Sequence, residues 1–258
     1  MSIDLNCDVG ESVGREALDN DTAVMAFATS ISVACGFHAG DPGTMHRTVE
    51  AAVARGVAVG AHPGYPDRQG FGRREMALPP AEIADAVVYQ VGALEAFVRA
   101  AGARLQHVKL HGALYNTVAR DGTVADAAVG AVARLQKDLF IVGPPGSQLE
   151  SAADRHGLGF AAEVFADRTY AADGALTPRD HPAAFIPDAD AAARRMVRLL
   201  RDGIVETTAG NTLTLRADTI CLHGDNPAAL AFARRLAQAL ADAGIERRAF
   251  GLTLARRG

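Results

Sequence analysis

Histidine closes four separate apolar runs of this chain, each time in a short loop bearing Gly, Asp or Asn. The runs are SVACGFHAGD (Ser32–Asp41), VAVGAHPGYPD (Val57–Asp67), VKLHGALYN (Val108–Asn116) and ICLHGDN (Ile220–Asn226). A fifth, IDLNCDVGE (Ile3–Glu11), closes on carboxylates, and a sixth, FAAEVFADRTY (Phe160–Tyr170), carries Glu163, Asp167, Arg168 and Tyr170. Imidazoles and carboxylates move protons near neutral pH, and the same groups ligate divalent ions.

Each candidate has a functional and a structural reading. Asp8 and Glu11 can bind metal, act as a base, or cap the next segment. His38 and Asp41 precede the helix that Pro42 opens, and Asp41 is equally suited to be its N-cap. His62 leads into Pro63-Gly64-Tyr65-Pro66-Asp67, a stiff loop that fixes the ring and offers Tyr65 and Asp67. Lys109 shares strand parity with His111 and so points into the same space as Asp4, Asn6 and Asp8. A buried ammonium needs an anionic partner, and Asp8 or Asp4 is the expected one. Arg168 can grip a substrate carboxylate through its planar fork or pair with Asp167. His223 and Asp225 close the last run. His46, His156 and His181 have no such setting. His107 lies ~13 Å from His111 along its strand, so the two make no chelating pair. Asp and His on several strands can hold a divalent ion, but no close-spaced His pair marks one, and a bound metal is left open.

Other chemistries are excluded by motif. The chain has no G-x-x-x-x-G-K-[ST], no G-x-S-x-G, no H-E-x-x-H and no C-x-x-C. The GPPG at Gly143–Gly146 is at most a weak anion-receiving turn. A net charge of −4 without a basic block argues against a nucleic-acid partner. Cys7, Cys35 and Cys221 each sit inside an apolar run, as reduced thiols do. With no signal-peptide pattern and no apolar stretch of membrane-spanning length, the expected compartment is the cytoplasm, away from a membrane.

The groups must be held by something. Strand-length apolar runs alternate with longer Ala/Arg-rich segments of helical period, the pattern of an α/β fold. Strands are expected at Ser2–Asn6, Ile31–Gly36, Val57–Ala61, Leu105–Leu110, Leu139–Val142, Gly159–Glu163 and Thr219–Leu222. Helices are expected near Pro42–Arg55, Pro80–Ala101, Thr123–Gln136, Ser147–His156, Asp188–Asp202 and Pro227–Ala243. Ile204–Thr208 and Thr212–Arg216 form a hairpin inserted before the last strand. Asp67–Pro79 and Asp173–Pro187 read as long loops over the strand ends. One strand face is branched or Leu (Ile3, Leu5, Cys7; Val108, Leu110); the other is polar or small (Asp4, Asn6, Asp8; His107, Lys109, His111). A barrel lumen is ordinarily filled by bulky branched residues. A polar lumen and seven strands predict an irregular (β/α)7 barrel, one domain over 1–258, with its site in the mouth.

LNCDVGES, ACGFHAGDP, GAHPGYPD with GFGRR, KLHGALYN, FADRTY with DGALTPR, and CLHGDNP resemble, in that order, the motifs of the LamB/YcsF family. The likeness runs from Leu5 to about Pro227. It implies a glycoside hydrolase/deacetylase-type (β/α)7 barrel. It also implies the role of A subunit in the bacterial ATP-dependent 5-oxoprolinase, which, with B and C subunits, opens 5-oxo-L-proline to L-glutamate. ATP, with Mg2+, is then consumed by the complex. By the same likeness the residues in play are Asp8, Glu11, His38, Asp41, His62, Lys109, His111, Glu163, Asp167, Arg168, His223 and Asp225. Family members commonly read K-P-H-G where this chain has Lys109-Leu110-His111. Deacetylases of this fold use an Asp and two closely spaced His for metal; that spacing is missing here, so the resemblance carries no metal over. The rival expectations are a free-standing metal-dependent amidase or deacetylase and a non-catalytic substrate-binding subunit.

Overall fold

The computed structural model describes residues 1–12, 15–222 and 229–251. In chain order the first half contains β1 (Ser2–Val9), α1 (Arg15–Met25), β2 (Ser30–Ala34), α2 (Pro42–Val53), β3 (Ala58–His62), α3 (Pro80–Ala100), β4 (Leu105–Lys109), α4 (Gly112–Arg120) and α5 (Gly122–Leu135). The second half contains β5 (Phe140–Gly143), α6 (Gln148–His156), β6 (Gly159–Phe165), α7 (Ala189–Asp202), β7 (Ile204–Glu206), β8 (Thr212–Thr214), β9 (Thr219–Leu222), α8 (Ala229–Asp242) and β10 (Glu246–Arg247).

Seven parallel strands close into a barrel in the order β1-β2-β3-β4-β5-β6-β9, with β9 returning to β1. Closure is secured on both sides of β1: Asn6–Val9 pair with Ser30–Val33, and Asp4–Cys7 pair with Thr219–Leu222. β10 adds a short parallel pairing to Ser2 and Ile3. The antiparallel β7–β8 hairpin lies outside the barrel sheet, as its position before the last strand predicts.

All seven expected strands are found, and the helix starts obey their local signals. Asp41 accepts from Thr44 N at 2.8 Å to cap α2, and Asp121, Ser147 and Asp188 cap α5, α6 and α7. Gly157 and Gly203 end α6 and α7 in the left-handed conformation. Two helices escape the sequence reading. In α1, Asp19-Asn20-Asp21-Thr22 reads as a turn; in α4, glycine holds the first position and the helix has only nine residues.

Side-chain parity divides the barrel as expected. Ile3, Leu5, Cys7, Val108 and Ile220 are buried in the large apolar cluster between strands and helices. The opposite faces place Asp4, Asn6, His107, Lys109 and Glu163 in the lumen, all buried. Gly60 makes room for one of them. A Cβ there would stand 2.1 Å from His107 Nε2, so the His107 ring occupies the space that any other residue would fill. The three cysteines are free and buried. No helix among the described residues is long and apolar enough to cross a membrane.

Candidate active site

The floor of the lumen is a closed polar lattice. Asp4 accepts from the hydroxyls of Thr29 and Ser30 at 2.5 and 2.9 Å and from Thr219. Burial nevertheless pushes its carboxyl up to about 6, against those hydrogen bonds. Asn6 Nδ2 donates to Thr219 Oγ1 at 2.7 Å and to Glu163 Oε1 at 3.1 Å. His107 Nε2 lies 3.2 Å from Ser32 Oγ, and Nδ1 lies 2.9 Å from Gln106 Oε1.

Lys109 sits one layer higher, pointing into the barrel as its parity requires. Its ammonium meets Asp8 Oδ1 at 2.6 Å and Glu163 Oε1 at 2.8 Å, and donates to Asn6 Oδ1 at 2.9 Å and Cys221 Sγ at 3.3 Å. Asp8 is thus the partner that parity predicts; Asp4 is not, because the hydroxyls of Thr29, Ser30 and Thr219 already hold it. The carboxylates outweigh desolvation and hold Lys109 well above the usual lysine range. With four protein contacts, this ammonium fixes Asp8 and Glu163 in place and is committed to them.

Above Lys109, three histidines and Glu11 converge. His62 ends β3, His111 follows β4, and His38 lies in the β2–α2 connection. His38 and His111 stack with ring centroids 3.7 Å apart and planes 2° from parallel; His62 meets His111 edge-on. Glu11 Oε1 lies 3.0 Å from His111 Nδ1, 3.3 Å from His38 Nε2 and 3.6 Å from His62 Nε2. The outer ring nitrogens are tied to backbone: His62 Nδ1 to Lys109 O at 2.7 Å, His111 Nε2 to Phe71 O at 2.8 Å. Phe71 takes a φ of 55°, rare for a bulky residue, at the point where its carbonyl receives His111. Hydrogen bonds from the rings outweigh burial and hold the Glu11 carboxyl far below its ordinary range. Burial lowers His38 to about 4. His62 is raised, the charge of Asp8 overcoming desolvation. One donor atom from each of Glu11, His38, His62 and His111 fits within a 4.8 Å cluster, the arrangement that could hold a metal. The absence of a close-spaced His pair in sequence is therefore no obstacle, because the barrel brings the rings together from separate strands.

Glu11, His62 and His111 open onto a cavity of about 620 Å³. Asp8, Glu11, His62, Lys109, His111 and Glu163 line its depth; Arg168 and Tyr170 line its wall. Arg168 donates to the carbonyls of Thr177 and Ala184, so it braces the Asp173–Pro187 loop over the mouth. Tyr170 OH accepts from Phe165 N at 3.2 Å. Asp41 is occupied as a helix cap, and Asp67 is paired with Arg74 and accepts from Gly70 N at 2.9 Å. Tyr65 and Asp167 are buried. None of Asp41, Tyr65, Asp67 and Asp167 is among the cavity-lining residues, and His38 lies buried behind them, reaching the site through its stacking on His111. His223 and Asp225 lie outside the described residues. Sequence reasoning missed Tyr115 and Asn116, which α4 delivers to the cavity wall. The signal was present in KLHGALYN: in a helix opening at Gly112, residues four and five after His111 return to its side. Burial and the charge of Glu163 push the Tyr115 phenol well above its ordinary range.

The family model for LamB/YcsF matches residues 3–254. The A subunit of 5-oxoprolinase from Bordetella pertussis is 55% identical over 244 residues, covering 95% of this chain and 97% of the relative. Its counterpart of the same name from Bacillus subtilis is 50% identical over 246 residues, covering 95% and 96%. Among solved structures, the lactam utilization protein of Thermus thermophilus superposes with a TM-score of 0.91 at 46% identity, covering 96% of this chain and all of that one.

Proposed function

From the premise that the chain belongs to the LamB/YcsF family, we propose that it is the A subunit of an ATP-dependent 5-oxoprolinase that opens 5-oxo-L-proline to L-glutamate with B and C subunits. The observation that carries this reading is the likeness to subunits of that name at 50–55% identity over nearly the whole length. The site is of the right kind. Opening a five-membered lactam needs an activated water, a polarised carbonyl and a proton for the leaving nitrogen. Transfer of a phosphoryl group from ATP to the lactam oxygen makes the ring carbon electrophilic and accounts for the nucleotide. Since the chain has no phosphate-cradling motif beyond the Gly143–Gly146 turn, that activation belongs to the partner subunits.

Water addition then falls to this barrel. Asp8, 8% exposed and facing the cavity, is the base; Lys109 positions it and holds Glu163 beside it. His62 or His111 supplies the proton from the inner nitrogens, which face each other at 3.0 Å, while no ion occupies them; the outer nitrogens are held by Lys109 O and Phe71 O. The test is 5-oxoproline hydrolysis with ATP and magnesium, with and without B and C subunits. The isolated chain is expected to release no glutamate, and mixing restores it. In the mixture Asp8→Asn or His111→Ala abolishes glutamate release while phosphate release from ATP persists, uncoupled. Robust hydrolysis by the chain alone overturns this division of labour in favour of a free-standing amidase, the reading that the cluster of metal-capable donors favours.

A further inference from the structure

We propose that Glu11, His38, His62 and His111 bind a divalent first-row transition ion, zinc by preference, at the floor of the cavity. The argument begins with protons. A backbone carbonyl only accepts, so the contacts to Lys109 O and Phe71 O make His62 Nδ1 and His111 Nε2 the donors of their rings. A neutral imidazole has one N–H. The inner atoms, His62 Nε2 and His111 Nδ1, lie only 3.0 Å apart and are the ones that a proton or an ion must occupy. Glu11 Oε1 adds a third acceptor, 3.0 Å from one and 3.6 Å from the other. Acceptors converging in this way repel unless something positive lies among them. A single extra proton bridges one pair; His38 Nε2, 3.3 Å from the same carboxylate oxygen, leaves a further donor atom facing the centre.

The spacing suits an ion. Bonds of about 2.0–2.1 Å in tetrahedral geometry set ligand atoms about 3.3–3.4 Å apart. The separations of 3.0, 3.3 and 3.6 Å bracket that value. A carbonyl on the outer nitrogen is also how proteins orient metal-binding imidazoles. Imidazoles with a single carboxylate favour zinc and its neighbours over calcium or magnesium, which take oxygen.

Charge gives an independent reason. Asp8, Glu11 and Glu163 ring the floor of the site with Lys109 as the adjoining ammonium. Three carboxylates against one ammonium leave two negative charges, which a dication balances. The cluster is also built to hold its shape. A Cβ at Gly72 would stand 2.8 Å from His38 Cβ and 2.9 Å from His111 Cδ2, so the 67–79 loop packs directly on two of the rings.

The measurement requires no turnover, so it succeeds or fails apart from the 5-oxoprolinase reading. The full chain is produced in medium supplied with zinc, manganese, iron, cobalt and nickel, desalted, and its metal content determined by mass spectrometry. About one ion per chain is expected for wild type and less than about a tenth for the His62→Ala/His111→Ala pair. Wild type stripped with a chelator and refilled with cobalt(II) alone should show the strong visible absorption of a four-coordinate site, and Glu11→Gln should shift that spectrum. This second readout decides the matter if the double variant does not fold. Wild type that retains no metal and gives no cobalt spectrum overturns the proposal. Full retention by a folded double variant also overturns it, by placing the ion elsewhere.

Discussion

The lower lumen and the mouth of the barrel carry polar side chains on the same strand parity, yet satisfy them differently. Below, Asp4, Asn6, Ser30, Ser32 and Thr219 form a lattice in which hydroxyls and an amide supply both donors and acceptors. Above, His38, His62 and His111 face one another and Glu11, with the two best-fixed rings directing their N–H groups away from the centre. Buried polar groups that satisfy one another specify a frame; convergent acceptors at the end of a cavity are a site awaiting a positive or hydrogen-donating guest. The lesson is that a polar lumen is not in itself catalytic. What separates the layers is whether the inventory of donors and acceptors closes within the protein.

Lys109 joins the two layers, and its removal should have the largest effect. Lys109→Met leaves Asp8 and Glu163 as buried carboxylates side by side, a loss of about 3–5 kcal/mol by analogy with broken buried pairs. Urea unfolding should show this destabilisation together with lost glutamate release in the mixed complex. Strand parity alone predicts for Lys109→Met a loss of turnover with folding largely spared. The four contacts of Nζ make it a joint of the fold as well. An unchanged urea midpoint would show that the layers are not coupled through this residue.

A smaller effect is expected wholly within the lower layer. Gly60→Ala drives a methyl into the His107 ring, which Ser32 and Gln106 hold from either side. Overpacking of this kind costs about 1–3 kcal/mol. Thermal unfolding should register the change, and metal binding at the mouth should not.

The fold was legible because parity and period are local. Ile3, Leu5 and Cys7 against Asp4, Asn6 and Asp8 reveal which face meets the helices, whatever the partner strands are. The site was legible strand by strand for the same reason: Asp8, His62, Lys109, His111 and Glu163 follow from strand ends and their parity. The convergence of His38, His62 and His111 was not legible. It depends on barrel closure and register, which set residues 38, 62 and 111 around one point. Asp41 and Asp67 illustrate the opposite case. Each stands near a histidine of the cluster in sequence, but one is spent on Thr44 and the other on Arg74. A carboxylate in a Gly- and Pro-bearing loop carries the same local signal whether it serves the turn or the cavity.

Acid tests the lower layer through the slope that His107 contributes. Burial, then the Lys109 charge, lowers His107 to about 3, whereas an unfolded histidine titrates near 6.5. Between those values the unfolded chain binds the extra proton and the folded chain does not. Stability from this group is therefore complete above pH 6.5 and is lost as pH falls toward 3, by up to about 1.4 kcal/mol per pH unit. His107→Gln should flatten that part of the curve measured by urea unfolding. Equal slopes for wild type and variant would mean that His107 is protonated in the fold.

A smaller effect on folding than that of Lys109→Met is expected at the mouth. Glu11→Gln removes a charge whose contacts among the described residues are to the three rings, and keeps the side-chain volume. With metal stripped from both proteins, the variant should lose about 1–3 kcal/mol, less than Lys109→Met, because the ring contacts that hold the carboxyl below its ordinary range go with the charge. Adding zinc should then raise the melting temperature of wild type and leave Glu11→Gln lagging, since a ligand stabilises only the state that binds it. A large loss in the stripped variant would show that Glu11 and its histidines belong to the structural lattice after all. The distinction between a closed lower layer and a receptive mouth would then fail.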